Sequence, residues 1–202
     1  MKSFKLTLVL TCMVALASAQ NIGFNINRGI STICPDYANF KSTLNQAVGF
    51  GFIKTKPLTS TLNLRTGVNF TSLRSCMSVT NDQGAALLIP EKYFYVDMPL
   101  ILEKNFFRYS KVTRSASHYN VYGGVNFAYL FHEEGFETRV GENYQTRPIN
   151  LGLTTGIQWV KPIKWNTSFA IGPQIQAYTT GEEHANVAFY AGMKMDWKFG
   201  KY

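Results

Sequence analysis

Thirteen consecutive residues, Val187 to Phe199, alternate in polarity without a break. Val187, Phe189, Ala191, Met193, Met195, Trp197 and Phe199 fall on one side; Ala188, Tyr190, Gly192, Lys194, Asp196 and Lys198 fall on the other. A period of two marks an extended strand with unlike faces. The run far exceeds the usual globular strand of about five to six residues, and it is longer than the roughly 9–11 tilted residues that take a strand across a bilayer. Seven further segments carry the same alternation: Ile22–Ile30, Leu44–Lys54, Thr61–Thr71, Lys92–Lys104, Tyr119–Phe131, Ile149–Val160 and Trp165–Tyr178. The pattern predicts an all-β chain, an eight-stranded antiparallel up-and-down transmembrane β-barrel. Closing eight such strands removes open edges and leaves an interior that side chains just fill.

Alternation by itself leaves open which face turns inward. A soluble, exported, lipocalin-like barrel would place the apolar face inside, around a small apolar ligand. A membrane barrel would place it outside, against lipid. The polar face favours the second reading. It consists mostly of Gly, Asn, Gln, Ser, Thr and Ala, as in Asn150, Gly152, Thr154, Gly156 and Gln158. A face turned to water carries many Lys and Glu instead. Charged residues make up only 16% of the chain, against about 25% in an ordinary soluble domain. Trp159 and Trp165 flank Lys161-Pro162-Ile163-Lys164, and Trp197 and Phe199 sit near the end of the last strand. Such aromatics suit the interfacial girdle of a membrane barrel.

The opening segment, Met1 to Gln20, is read as an address. Lys2 and Lys5 precede an apolar stretch from Leu6 to Leu16, and Ala17-Ser18-Ala19 forms a small-residue cleavage site. The expectation is a signal peptide over 1–19, cleaved after Ala19, and an outer-membrane barrel domain over 20–202. Removing the segment takes Lys2 and Lys5 and no acid, lowering the formal charge from +8 to +6. No later stretch approaches 18 consecutive apolar residues, so no transmembrane helix is expected.

With both ends of the barrel facing the periplasm, the expected outside loops are 31–43, 72–91, 132–148 and 180–186. The expected inside turns are 55–60, 105–118 and 161–164. Two pairings follow. Folding 72–91 as a hairpin sets Thr71 opposite about Lys92 and brings Arg65 near Asp97, so an ion pair between Arg65 and Asp97 is expected in the lumen. Glu103, Lys194, Asp196 and Lys198 extend that polar plug. Cys34 and Cys76 fall on consecutive outside loops, and export permits a disulfide between them.

The sequence also resembles a known family. Gly23-Phe24-Asn25-Ile26, the stretch Tyr95 to Leu100 within Phe94–Leu102, and the aromatic closing strand Tyr190–Phe199 are similar to the outer-membrane β-barrel domain family that includes the PorT-like proteins of Gram-negative bacteria. The resemblance implies an outer-membrane location and a link to protein secretion. It also implies recognition of the last strand by the barrel-assembly machinery.

Motifs for chemistry are sparse. No G-x-S-x-G, P-loop or H-E-x-x-H pattern occurs, so no catalytic, cofactor-binding or metal residue is assigned and no cofactor is expected. His132-Glu133-Glu134 and Glu182-Glu183-His184 are the two acidic His clusters, both on outside loops. Together they could bind a divalent cation with N and O ligands, and an outer-membrane barrel enzyme with its site in these outside loops is the second alternative reading. The basic residues do not cluster with stacking aromatics, which argues against nucleic acid. The expected role is non-enzymatic, structural or secretion-accessory. The expected partners are outer-membrane lipids, the assembly machinery during insertion and secretion-system components, with the barrel a monomer.

Overall fold

The structure is a computed structural model that describes residues 22–34, 40–80, 86–107, 117–134, 148–163, 167–179 and 187–199. Eight strands run in chain order: β1 (Ile22–Cys34), β2 (Phe40–Pro57), β3 (Leu62–Thr80), β4 (Ala86–Phe107), β5 (His118–Glu134), β6 (Ile149–Ile163), β7 (Thr167–Thr179) and β8 (Val187–Phe199). Each pairs antiparallel with the next, and β1 pairs with β8, closing the barrel. The expected signal segment and its cleavage position at Ala19 lie outside the described residues.

The ladder fixes the barrel's stagger. From Ile22 the partners run Lys54, Thr66, Leu100, Val125, Leu153, Ala177 and Phe189, and the circuit returns to β1 at Thr32. The path has climbed from residue 22 to residue 32, a stagger of ten. Such a stagger goes with strands tilted about 40° to the barrel axis. At the β1–β8 seam Gly29 stands opposite Gly192. A methyl group on Gly29 would strike the Ala191 carbonyl, so the seam closes only with glycine there. Inside, Tyr122 lies across its partner Gly156, which leaves the space its ring fills.

Strand phases match the alternation, but β3 and β4 run much further outward than expected. Their pairing continues to Thr80 opposite Ala86, which leaves five residues, 81–85, between them. The cause is a change of solvent along the strand. Beyond Thr71, Leu73 points inward and Arg74 outward; across from them Tyr93 points inward and Lys92 outward. At these positions the outside is polar and the inside apolar. The alternation therefore inverts and reads, in sequence, like a loop. Register shifts between Leu44 and Val48 on β2, and between Phe94 and Tyr95 on β4, mark where the projecting ribbon leaves the regular wall.

Candidate functional site

The outer wall is apolar. Phe50, Leu102, Phe127, Leu151, Ile157 and Ile175 all point outward and are about half exposed, and Leu153 is 64% exposed. A water-facing barrel buries such side chains; here they form a belt around the wall. A soluble, ligand-enclosing barrel is thereby excluded. On β4 the belt runs between the outward residues Lys92 and Lys104 through Phe94, Val96, Met98, Leu100 and Leu102. That separation is about 40 Å along the strand and about 30 Å along the axis at the tilt above, enough to cover the hydrocarbon layer. Lys54, Lys56 and Lys161 join Lys104 at the inner rim, where lipid phosphates lie.

The lumen is polar and filled. Among the described residues it buries three cations, Arg65, Lys194 and Lys198, and three carboxylates, Asp97, Glu103 and Asp196. Formal charge therefore balances inside the wall. At the inner end Arg65 Nη2 lies 2.6 Å from Asp196 Oδ2, a close ionic contact, and Nη1 lies 3.4 Å from Glu103. Lys198 Nζ donates to both oxygens of Glu103, at 2.8 and 3.0 Å. Gln158 donates to Asp196 at 2.9 Å and accepts from Arg65 at 3.4 Å. The Arg65 guanidinium sits 5.7 Å over the Tyr122 ring. Strands β3, β4, β6 and β8 each place one or two members, because inward positions recur every second residue.

The expected Arg65–Asp97 pair does not form. Arg65 stands opposite Ile101, and Asp97 stands opposite Asn69. The pairing of β3 with β4 continues to Thr80 opposite Ala86, and its register differs by three residues from the expected one, with Thr71 opposite Tyr95. Asp97 instead accepts hydrogen bonds from Thr71 Oγ1 at 2.6 Å and Tyr178 Oη at 3.0 Å. Toward the outer end, Tyr93, Tyr95, Tyr178 and Tyr190 pack with Ala47, Leu73 and Ala128 into a buried cap. Tyr95 and Tyr178 stack with centroids 5.0 Å apart and planes within 2°. Their placement on the polar face of the alternation was legible; their joining into a cap was not, since it depends on the register of distant strands.

The expected Cys34–Cys76 disulfide is also absent, for Cys76 is a free thiol. Cys76 lies on β3 facing Thr43 of β2 and Pro90 of β4, so β2 separates it from β1, which ends at Cys34. Of the two His clusters, His132 Nε2 lies 3.3 Å from Glu134 at the outer rim. Glu134 also pairs with Lys92 at 3.0 Å. The hydrogen bond from Lys92 holds the Glu134 carboxyl below the usual carboxylate range. Glu182, Glu183 and His184 lie outside the described residues. Among the described residues no three His, Cys, Asp or Glu side chains gather as a metal site would require.

No protein-family model matches the chain, and no curated protein matches it. The chain is similar, at low identity, to several solved structures. The outer membrane protein OprG from Pseudomonas aeruginosa is 15% identical, with 90% of this chain and 98% of that one covered, at a TM-score of 0.48. The N-terminal β-barrel domain of Pseudomonas aeruginosa OprF is 12% identical, covering 90% and 98%, at 0.38. Ail, the attachment invasion locus protein of Yersinia pestis, is 11% identical, covering 90% and 99%, at 0.41.

Proposed function

We propose that this chain is an integral outer-membrane barrel of the PorT-like kind, delivered by a signal peptide cleaved after Ala19, with a non-enzymatic structural or secretion-accessory role. The observation that carries the membrane part is the inversion of burial: Leu153 faces out while Arg65, Asp97 and Asp196 have no exposed surface. Only a solvent of hydrocarbon makes that arrangement favourable. A lumen crowded with buried side chains such as Arg65, Tyr122, Gln158 and Tyr178 favours a scaffold over a pore. A scaffold acts through its rims and loops, which suits an accessory contact with secretion-system components. The aromatic last strand, ending in Trp197 and Phe199, suits recognition by the assembly machinery during insertion. Lipids of the outer membrane cover the belt, and the barrel works as a monomer without cofactor or nucleic acid.

Cell fractionation with heat-modifiable gel mobility tests the location. The chain is expected in the outer-membrane fraction, migrating faster unheated than boiled; recovery in the soluble fraction without detergent would overturn the reading. Deleting the gene tests the role: secreted proteins are expected to fall in the medium, and an unchanged secretome would remove the secretion part.

A further inference from the structure

One charge breaks the apolar belt. Arg28 points outward from β1, exposed, with Ile26 and Ile30 as its outward neighbours on the strand. Its ladder row runs through Val48 and Ser72 to Phe94. The ladder climbs ten residues per circuit, or about four in three strand steps, so Arg28 stands level with about Met98, midway between Lys92 and Lys104. Among the described residues it is the one charge that faces out between the two rims, and no carboxylate pairs with it. A guanidinium facing hydrocarbon at that depth is costly unless an anion meets it, and ionisable groups so placed normally pair with one another.

Depth decides where the anion comes from. Lipid phosphates lie at the rims, and acyl chains carry no charge, so lipid offers Arg28 nothing at its own level. A second copy of this chain offers nothing either. Its carboxylates within the layer, Asp97, Glu103 and Asp196, all point into the lumen and are buried. The matching acid therefore belongs to a different protein that crosses the same membrane. The wall beside Arg28 is shaped for such a contact. A groove of about 550 Å³ has Val48 and Ser72 as its low floor and Phe50, Phe70, Phe94 and Phe131 as its walls, with Arg28 along one side. Phe50 and Phe70 stack at 5.2 Å, and Phe94 lies 5.9 Å from Phe131. Apolar side chains of a neighbouring segment fill such a groove, while the charge next to it fixes the depth at which that segment sits.

We propose that the β1–β4 wall docks a transmembrane segment of another protein, one that sets an Asp or Glu at mid-depth against Arg28 and apolar side chains into the groove. The guanidinium receives that carboxylate in a forked, two-bond geometry, with no water to compete. The inference rests on the membrane-spanning reading above, and it gives the accessory role a contact face within the bilayer besides the rims and loops.

The probe is a synthetic transmembrane peptide of leucines carrying one central Glu, with a dansyl group and no tryptophan. The full chain is inserted into zwitterionic vesicles with the peptide at low density, and association is read as energy transfer from the barrel's tryptophans. The Glu peptide is expected to associate about tenfold or more tightly than the same peptide with Gln, and R28L is expected to abolish the difference. A Glu placed near one end of the peptide is expected to do no better than Gln. Leu153 supplies a control at equal depth. It ends the row Ile22, Lys54, Thr66, Leu100, Val125, Leu153, five strand steps that climb about six residues, so it stands level with Arg28 on the far wall. R28L/L153R moves the charge there and leaves the groove behind, so it is expected to hold the Glu peptide more weakly than the unaltered chain, by about threefold or more. Equal association of the Glu and Gln peptides, or a difference that survives R28L, would overturn the proposal. Binding by R28L/L153R as tight as by the unaltered chain would overturn the part given to the groove. Heat-modifiable mobility checks that each variant is folded and inserted. A chain that never inserts would sink the membrane reading, whereas an inserted barrel indifferent to the Glu would sink this proposal alone.

Discussion

Arg65 on β3 and Asp196 on β8 meet across the lumen at 2.6 Å, both without exposed surface. The two strands are not neighbours in the barrel wall, so the contact ties separated parts of the circuit together. Removing one partner strands the other charge in a site that water does not reach. Asp196→Ala is expected to lower stability by about 3–5 kcal/mol, measured by urea unfolding in lipid vesicles. A loss under about 1 kcal/mol would contradict the role given to this pair.

The register predicts which charges feel one another. Arg65 and Asp97 lie four ladder positions apart, about 13 Å along the strand. A double-mutant cycle of Arg65→Met with Asp97→Asn is expected to be additive to within about 0.5 kcal/mol. The cycle of Arg65→Met with Asp196→Asn is expected to show a coupling above about 1 kcal/mol. Coupling of Arg65 to Asp97 as large as to Asp196 would restore the register expected from sequence.

That contrast shows what was legible beforehand. Most residues facing the lipid layer are apolar, so the phases are written plainly in strands such as β6, with Ile149, Leu151 and Leu153, and more faintly in β1 and β2, where Arg28 faces outward. The upper reaches of β3 and β4 are not, because water replaces lipid there and Leu73 and Arg74 exchange the expected faces. Losing those strand ends misplaces the turn, and the turn sets which lumen residues meet. Hence Arg65, Asp97, Glu103 and Asp196 were legible as inward charges, while their partners depended on a register that no local pattern records.

The aromatic cap predicts a closed barrel and a specific weak point. Tyr178 Oη donates to Asp97, a buried carboxylate that also accepts from Thr71. Tyr178→Phe is expected to cost about 1–3 kcal/mol, the penalty of leaving part of a buried charged acceptor unsatisfied. Thermal melting in detergent measures it, and an unchanged midpoint would mean that water already serves Asp97.

Cys76 as a free thiol predicts the outcome of a thiol titration. The unfolded, unreduced chain recovered from cells, with residues 1–19 removed, is expected to show Cys34 and Cys76 both reactive. No reactive thiol in a monomeric chain would establish the bridge that the structure lacks.

Arg28 predicts a lipid-dependent stability. In bilayers of zwitterionic lipid alone, Arg28→Leu is expected to stabilise the barrel by about 2–4 kcal/mol, the depth-dependent cost of a lipid-facing cation. Destabilisation by the same change in those bilayers would show that Arg28 already has a partner within the protein.

The most direct test of the inverted barrel is a spin-label scan along β6 in lipid vesicles. Labels at Leu151, Leu153 and Ile157 are expected to collide readily with oxygen, which concentrates in hydrocarbon, and poorly with a water-soluble nickel chelate. Labels at Asn150, Gly152 and Thr154 are expected to be shielded from both. Ready collision of the chelate with Leu151, Leu153 and Ile157 would place that face in water and contradict the account.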